Sequence, residues 1–116
     1  MEKKNEIVNV SFQFALLIIE FSEDLEKERK YVIARQLLKS GTSIGANIRE
    51  AQSAESRADF IHKLKISYKE ALETEYWLDL SELSKAYPNP PEKMKTLLLS
   101  IKKLLNAIIK SSKNNG

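Results

Sequence analysis

Cysteine is absent from this chain of 116 residues, and glycine and proline occur only three times each. Without cysteine, the chain has neither a disulfide framework nor a thiolate for metal binding or catalysis. Its one histidine, His62, belongs to no recognisable Ser-His-Asp or Cys-His arrangement, so we do not expect an enzyme. The scarcity of helix-breaking residues leaves long segments free to form helices.

Long hydrophobic runs are also absent. The most apolar segment, residues 8–19, is interrupted by Asn9, Ser11 and Gln13, whereas a membrane-spanning helix needs about 18 consecutive apolar residues. No small-residue cleavage site follows this segment, as a secretory signal peptide would require. We therefore predict a cytoplasmic protein that does not associate with membranes.

Four segments carry apolar residues at the helical period, and none alternates as a strand would. The predicted helices cover residues 5–25, 28–53, 57–86 and 90–112, followed by a flexible tail at 113–116. Helices joined by short connections become antiparallel neighbours. The sequence thus predicts one all-α domain, an antiparallel up-down four-helix bundle, with no bound cofactor and no small-molecule substrate.

Two of the predicted helix starts carry capping signals. Ser56 has Asp59 three residues later, which is typical of a capping box. The segment 89–92, Asn-Pro-Pro-Glu, predicts Asn89 as the cap of the fourth helix, with proline in its first turn. The preceding Tyr87-Pro88 should stop the third helix, because residues before proline avoid the α region. The first turn, between Ser22 and Arg29, has no clear marker.

The first helix is apolar over about 260° of its circumference, whereas a helix in a lone bundle needs little more than about 100°. One arc, centred on Phe14, faces the core. A second arc would remain exposed in a monomer, and another copy of the chain would cover it in an oligomer. The alternative is a shifted register, in which a single chain buries both arcs. We favour a homo-oligomer, with the interface formed by Val8, Phe12, Leu16 and Ile19.

Positive charge is concentrated near the end of the chain, where residues 87–116 hold six lysines and a single acid, Glu92. Such a stripe is usually a solvated helix face. It can also contact phosphates, and an oligomer would multiply weak contacts of this kind. Arginine and lysine side chains also share one face of the second predicted helix. The residues predicted to contact nucleic acid are therefore Arg35, Lys39 and Arg49 of the second helix and Lys95, Lys102, Lys103 and Lys110 of the fourth.

Two further motifs indicate a structural role and not a ligand-binding or metal-binding one. The segment 40–47 contains Gly41 and Gly45 inside a helical pattern, which favours close approach of a neighbouring helix; it lacks the Lys-[Ser/Thr] ending of a phosphate-binding P-loop. Acidic residues on the second and third helices could suggest a di-metal site, but the paired Glu-x-x-His motifs are absent. We expect Asn47 to be satisfied by one of those glutamates or by nearby backbone, no metal to be bound, and His62 to lie at the surface.

The pattern Ser43-Ile44-x-x-Asn47-Ile48-x-Glu50, followed by Asp59-Phe60-Ile61 and Leu72-Glu73-Thr74, resembles the bacterial four helix bundle proteins, also called the 23S rRNA intervening-sequence protein family. The resemblance implies a ring-like homopentamer and a partner such as structured RNA or a ribonucleoprotein. One related branch serves as an accessory protein of reverse transcriptases in diversity-generating retroelements. That branch keeps open a protein-interaction scaffold, docking through the first helix or Trp77. The resemblance brings no catalytic residue.

Overall fold

Four helices account for most of the chain in the computed structural model, which describes residues 3–114, with side chains described from Glu6 onward. They are α1 (Lys3–Lys27), α2 (Tyr31–Ala51), α3 (Arg57–Leu83) and α4 (Glu92–Asn114). No strand occurs within residues 3–114. The predicted all-α four-helix arrangement is therefore confirmed.

The helices form a square in which each one packs against two others. α1 contacts α2 and α4, and α3 contacts the same two helices, while the diagonal pairs α1–α3 and α2–α4 do not touch within the described residues. Residue numbers increase in opposite directions along α2 and α3 where the two helices touch. Ser40 lies beside Thr74 and Ile44 beside Ser67 across the α2–α3 contact, which establishes the antiparallel order there.

The core is built from the apolar stripes that the helical period predicts. On α1 Phe14, Ile18 and Leu25 are fully buried, and on α4 Leu98, Ile101 and Leu105 are buried. The α2–α3 contact also buries small polar residues. Thr74 Oγ1 donates to Ser40 Oγ at 2.9 Å, which satisfies both hydroxyls without charge.

The turn between α1 and α2 explains why the second helix starts at Tyr31 and not at residue 28 as predicted. Arg29 has a φ of 63°, in the left-handed region. The N–H of Lys30 donates to Leu25 O and the N–H of Arg29 donates to Glu26 O, which together form a Schellman motif. Glycine usually occupies the position of Arg29 in such motifs, so the sequence carries no marker for this helix end.

The remaining helix ends differ from the predicted ones by up to three residues. α1 extends two residues beyond its predicted range at each end, and α2 ends at Ala51 because Gln52 and Ser53 donate to carbonyls only three residues back. α3 ends at Leu83, before the predicted residue 86, where Ser84 takes an extended conformation. Tyr87 of this loop packs against the core, and the Lys30 ammonium lies 5.0 Å from its ring centre.

The start of α4 corrects the prediction that Asn89 caps the fourth helix at residue 90. The helix begins at Glu92 because Asn89 and Pro90 each precede a proline and so avoid the α region. It continues to Asn114, so residues 113 and 114 of the predicted tail are helical, and the last two residues lie outside the described chain. At α3 the predicted cap is confirmed: Ser56 Oγ accepts from the Asp59 N–H, and Asp59 Oδ2 accepts from the Glu55 N–H.

Candidate interaction surfaces

The second apolar arc of α1 is only partly covered by the rest of the described chain. The exposed fractions of Phe12, Leu16 and Ile19 are 49%, 43% and 42%, whereas Val8 is half-buried against the core. The alternative in which one chain buries both arcs therefore does not hold. The residues that the sequence assigns to an oligomer interface are largely available for one.

A groove of about 190 Å³ separates this arc from α2. It is wide because the residues that α2 presents here, Gly45 and Ala46, have little or no side chain. The guanidinium of Arg49 lies over the Phe12 ring, 5.4 Å from its centre. Two residues assigned to different roles, Arg49 to nucleic acid and Phe12 to the interface, are thus in contact. The lining residues are Val8, Ser11, Phe12, Ala15, Thr42, Gly45, Ala46 and Arg49.

The structure does not gather the seven predicted nucleic-acid residues on one surface of the protomer. Three lie on α2 and four on α4, and these helices are diagonal in the bundle. Within α2 the set is divided again. Arg49 lies over Phe12 of α1, whereas Lys39 faces Glu70 of α3. Burial and the neighbouring Glu73 raise the pKa of Glu70, and the charge of Lys39 opposes that rise.

Two of the four predicted lysines on α4 are neutralised by carboxylates of α3. Lys102 Nζ lies 2.7 Å from Glu75 Oε2, and Lys95 Nζ binds Glu82 Oε2 with Glu92 nearby. The hydrogen bond that Lys95 donates to Glu82 raises the pKa of Lys95 above its usual value. These lysines connect α3 to α4. The carboxylates paired with them offset their positive charge, so they attract an external anion less strongly.

The other two, Lys103 and Lys110, are exposed and form no ion pair with any described residue. Beside them lie lysines that the sequence analysis did not assign to a site. Lys113 lies so close to Lys65 that its charge lowers the pKa of Lys65, with a smaller effect from Lys69. Like charges collected without acids form a surface that an anion would stabilise. We call this set the basic patch: Lys65, Lys69, Lys103, Lys110 and Lys113.

The outward side of α3 changes character halfway along the helix. Its first half carries Lys65 and Lys69, and its second half presents an apolar ridge. Tyr76 is 58% exposed and Leu83 82% exposed. The sequence analysis missed this ridge, although a helical wheel places its members within about 80° of one another, opposite the buried Leu64 and Ala71. The ridge consists of Leu72, Tyr76, Leu80 and Leu83.

The acidic residues that might have suggested a metal site do not converge. Glu50 pairs with Lys63, Glu73 accepts from the Trp77 indole N–H, and Glu75 binds Lys102. Asn47 Nδ2 donates to the Ser43 carbonyl, which is the backbone partner we expected. Within the described residues no three potential ligands come close enough to hold a metal ion. His62 is exposed, as predicted.

The fold and its surfaces define a small helical bundle with separate basic and apolar faces. The chain belongs to the 23S rRNA-intervening sequence protein family, whose sequence profile matches residues 3–109.

A solved structure of a protein with unknown function from the S23 ribosomal protein family of Bacteroides thetaiotaomicron VPI-5482 is similar to this chain. It is 46% identical, with a TM-score of 0.84, and the match covers 94% of this chain and 99% of that one. None of the curated proteins matches the chain. No helix in the described residues is both long and apolar enough to cross a membrane.

Proposed function

We propose that this protein is a non-enzymatic cytoplasmic homo-oligomer that binds structured RNA, or a ribonucleoprotein, through phosphate contacts. The family resemblance favours a pentamer. The basic patch carries the proposal, because its five lysines are exposed along one edge of the α3–α4 pair and form no ion pair with the described residues. Phosphates placed there would relieve the repulsion that lowers the pKa of Lys65.

The basic patch extends along one edge of the α3–α4 pair. Lys103, Lys110 and Lys113 lie within about 80° of arc on α4, and Lys103 and Lys113 are about 15 Å apart along its axis. That length spans several phosphates of a nucleic-acid strand. Side chains of this kind contact the backbone and carry no base readout, so we expect affinity to depend on RNA shape and salt and little on sequence.

The test compares two double substitutions that remove equal charge. K103Q/K110Q removes exposed lysines of the patch, whereas K95Q/K102Q removes lysines already paired with acids. We expect the first pair to weaken binding of a structured RNA at low salt at least tenfold. The slope of log affinity against log salt should fall by about 0.7–0.9 for each phosphate that a lysine no longer neutralises. The second pair should have a much smaller effect.

Equal losses for the two variants would mean that net charge alone, and not the patch, attracts RNA. Unchanged affinity in both variants would contradict the RNA-binding proposal. Solution mass by light scattering serves as the control, because neither variant should alter assembly.

The ridge on α3 supports a second candidate, a protein-interaction scaffold such as an accessory subunit of a reverse transcriptase. Exposed aromatic and leucine side chains in one row are typical of protein-binding surfaces. This candidate predicts a stoichiometric complex that survives nuclease treatment and high salt. An RNA-mediated association would be lost under both conditions.

A further inference from the structure

A pair of uncharged polar side chains lies in the middle of the basic patch. Asn106 Nδ2 donates to Tyr68 Oη at 3.4 Å, and this hydrogen bond crosses the α3–α4 contact. Lys103 and Lys110 lie about one helical turn before and after Asn106. The lysines of α4 therefore enclose the pair from both directions along the helix.

The lysines of α3 are arranged around Tyr68 in the same way. Lys65 precedes it by about one turn and Lys69 follows it directly. At about 100° per residue, Lys65 lies about 60° around α3 from Tyr68, and Lys110 lies about 40° around α4 from Asn106. Since Tyr68 and Asn106 face each other, these lysines lie farther out on their helices. One row of lysines therefore stands on each side of the hydrogen-bonded pair.

No unpaired acid of the described chain borders this surface. α4 contains no acid after Glu92. On α3, Glu70 lies on the side that faces Lys39 of α2. Glu75 is occupied by Lys102. Polyanion phosphates can thus approach both lysine rows without meeting an uncompensated carboxylate.

The pair itself keeps hydrogen-bonding capacity for a ligand. The Tyr68 ring is half-buried and packs against the core, which fixes the position of its hydroxyl, whereas Asn106 is exposed. The bond between them is longer than a typical one of about 3 Å. Among the described residues, the phenol O–H and the Asn106 carboxamide oxygen have no further partner. The pair therefore presents both a donor and an acceptor.

A ribose 2′-hydroxyl is the nucleic-acid group that matches such a pair, because it both donates and accepts. In double-stranded RNA these hydroxyls line a wide, shallow minor groove with a phosphate strand on each side. The surface has the same order: a lysine row, an uncharged donor and acceptor, and a second lysine row. DNA has phosphates but no 2′-hydroxyl, so only the centre of the surface distinguishes the two.

We propose that Tyr68 and Asn106 hydrogen-bond a 2′-hydroxyl in the minor groove of an RNA stem, while the lysine rows hold the phosphates on both sides. The inference rests on the proposed RNA binding. It adds the sugar as the group by which this surface prefers RNA to DNA, and it requires no base readout.

The test uses three hairpins of one sequence: RNA, DNA and 2′-fluoro RNA. The fluorinated hairpin keeps the A-form shape and the phosphates but has no hydroxyl to donate. Each is titrated at the same low salt with the wild-type protein and with Y68F and N106A. Y76F is the matched control, because it removes an exposed phenol oxygen on α3 outside the patch. Circular dichroism checks the helix content of every variant.

We expect the wild-type protein to bind the RNA hairpin most tightly. Y68F and N106A should each lose about three- to tenfold in affinity for RNA, as expected for a neutral hydrogen bond. Their affinity for the other two hairpins should change less than twofold, and Y76F should match the wild type throughout. K103Q/K110Q should weaken binding of all three hairpins alike, because each carries the same phosphates.

Equal losses for all three hairpins in Y68F and N106A would mean that the pair only shapes the patch. Unchanged affinity in both variants would mean that RNA does not reach it. Either result overturns the inference but leaves RNA binding standing, provided that K103Q/K110Q still weakens it. A protein that binds none of the hairpins would overturn the proposed function itself, and the inference with it.

Discussion

Gly41 lies directly against Ile18 across the α1–α2 contact. A Cβ atom added at Gly41 would lie 2.7 Å from Ile18 Cγ1 and 2.9 Å from Ile18 Cγ2. Ile18 is fully buried and β-branched, so it has little freedom to move aside. The glycine is required here by the neighbouring helix and not by a backbone conformation.

A matched pair of alanine substitutions tests that requirement. G41A gains about 1 kcal/mol of helix propensity but overpacks the core, which costs about 1–3 kcal/mol, so we expect a net loss of stability. G45A should be neutral or stabilising by up to about 1 kcal/mol, because the added Cβ meets Ser11 Oγ at 3.4 Å. Urea unfolding at one protein concentration measures both, and equal effects would contradict the close approach at Gly41.

Replacing Arg29 should stabilise the turn between α1 and α2 if the new residue is glycine. Arg29 holds a left-handed conformation that costs an L-residue roughly 1–2 kcal/mol, part of which glycine recovers. We expect R29G to raise the free energy of unfolding by about 0.5–1 kcal/mol. R29A removes the same charge but keeps the Cβ, so it should show no such gain. A gain in both variants would attribute the effect to charge.

Ser22 is a buried hydroxyl whose oxygen has no hydrogen-bond partner among the described residues. Leaving such a group unsatisfied costs about 1–3 kcal/mol, so S22A should raise the free energy of unfolding by about 1 kcal/mol. Ser67 is the comparison, because its hydroxyl donates to Ile44 O at 2.9 Å across the α2–α3 contact. S67A should therefore lose about 1 kcal/mol. Thermal unfolding of the two variants separates these outcomes.

The pKa of Lys65 should lie below the usual lysine value because of its proximity to Lys113. Since the folded pKa is lower than the unfolded one, the folded chain binds fewer protons, and stability rises with pH between the two values. NMR titration of the lysine side chains should show the Lys65 pKa moving up in K113Q. The rise in stability with pH should weaken in the same variant, and an unmoved Lys65 pKa would mean that the two ammonium groups do not interact.

Sequence periodicity was sufficient to predict the four helices and most of the core. The residues clustered around Phe14 on α1 and those opposite the lysines on α4 are buried or half-buried, as the helical wheels indicate. Helix ends were less predictable. Arg29 occupies a position that usually holds glycine, and no local pattern marks it.

The candidate surfaces were predictable only in part. The exposed arc of α1 followed from its excessive apolar width, because no single bundle needs so much. The basic set did not survive as one surface: Lys95 and Lys102 bind acids of α3, which are 13 and 27 residues away in sequence. Their pairing depends on the register between two helices, and a wheel drawn for one helix contains no such information.

The sequence by itself determined which side of each helix is apolar, because side-chain direction repeats every 3.6 residues irrespective of the neighbouring helices. Only the tertiary structure decided which of the remaining side chains meet. The square arrangement places α2 diagonal to α4, brings Lys65 near Lys113, and leaves the α3 ridge and the α1–α2 groove on different sides. Contacts between charges depend on distances of a few ångströms across helices, and packing, not local periodicity, sets those distances.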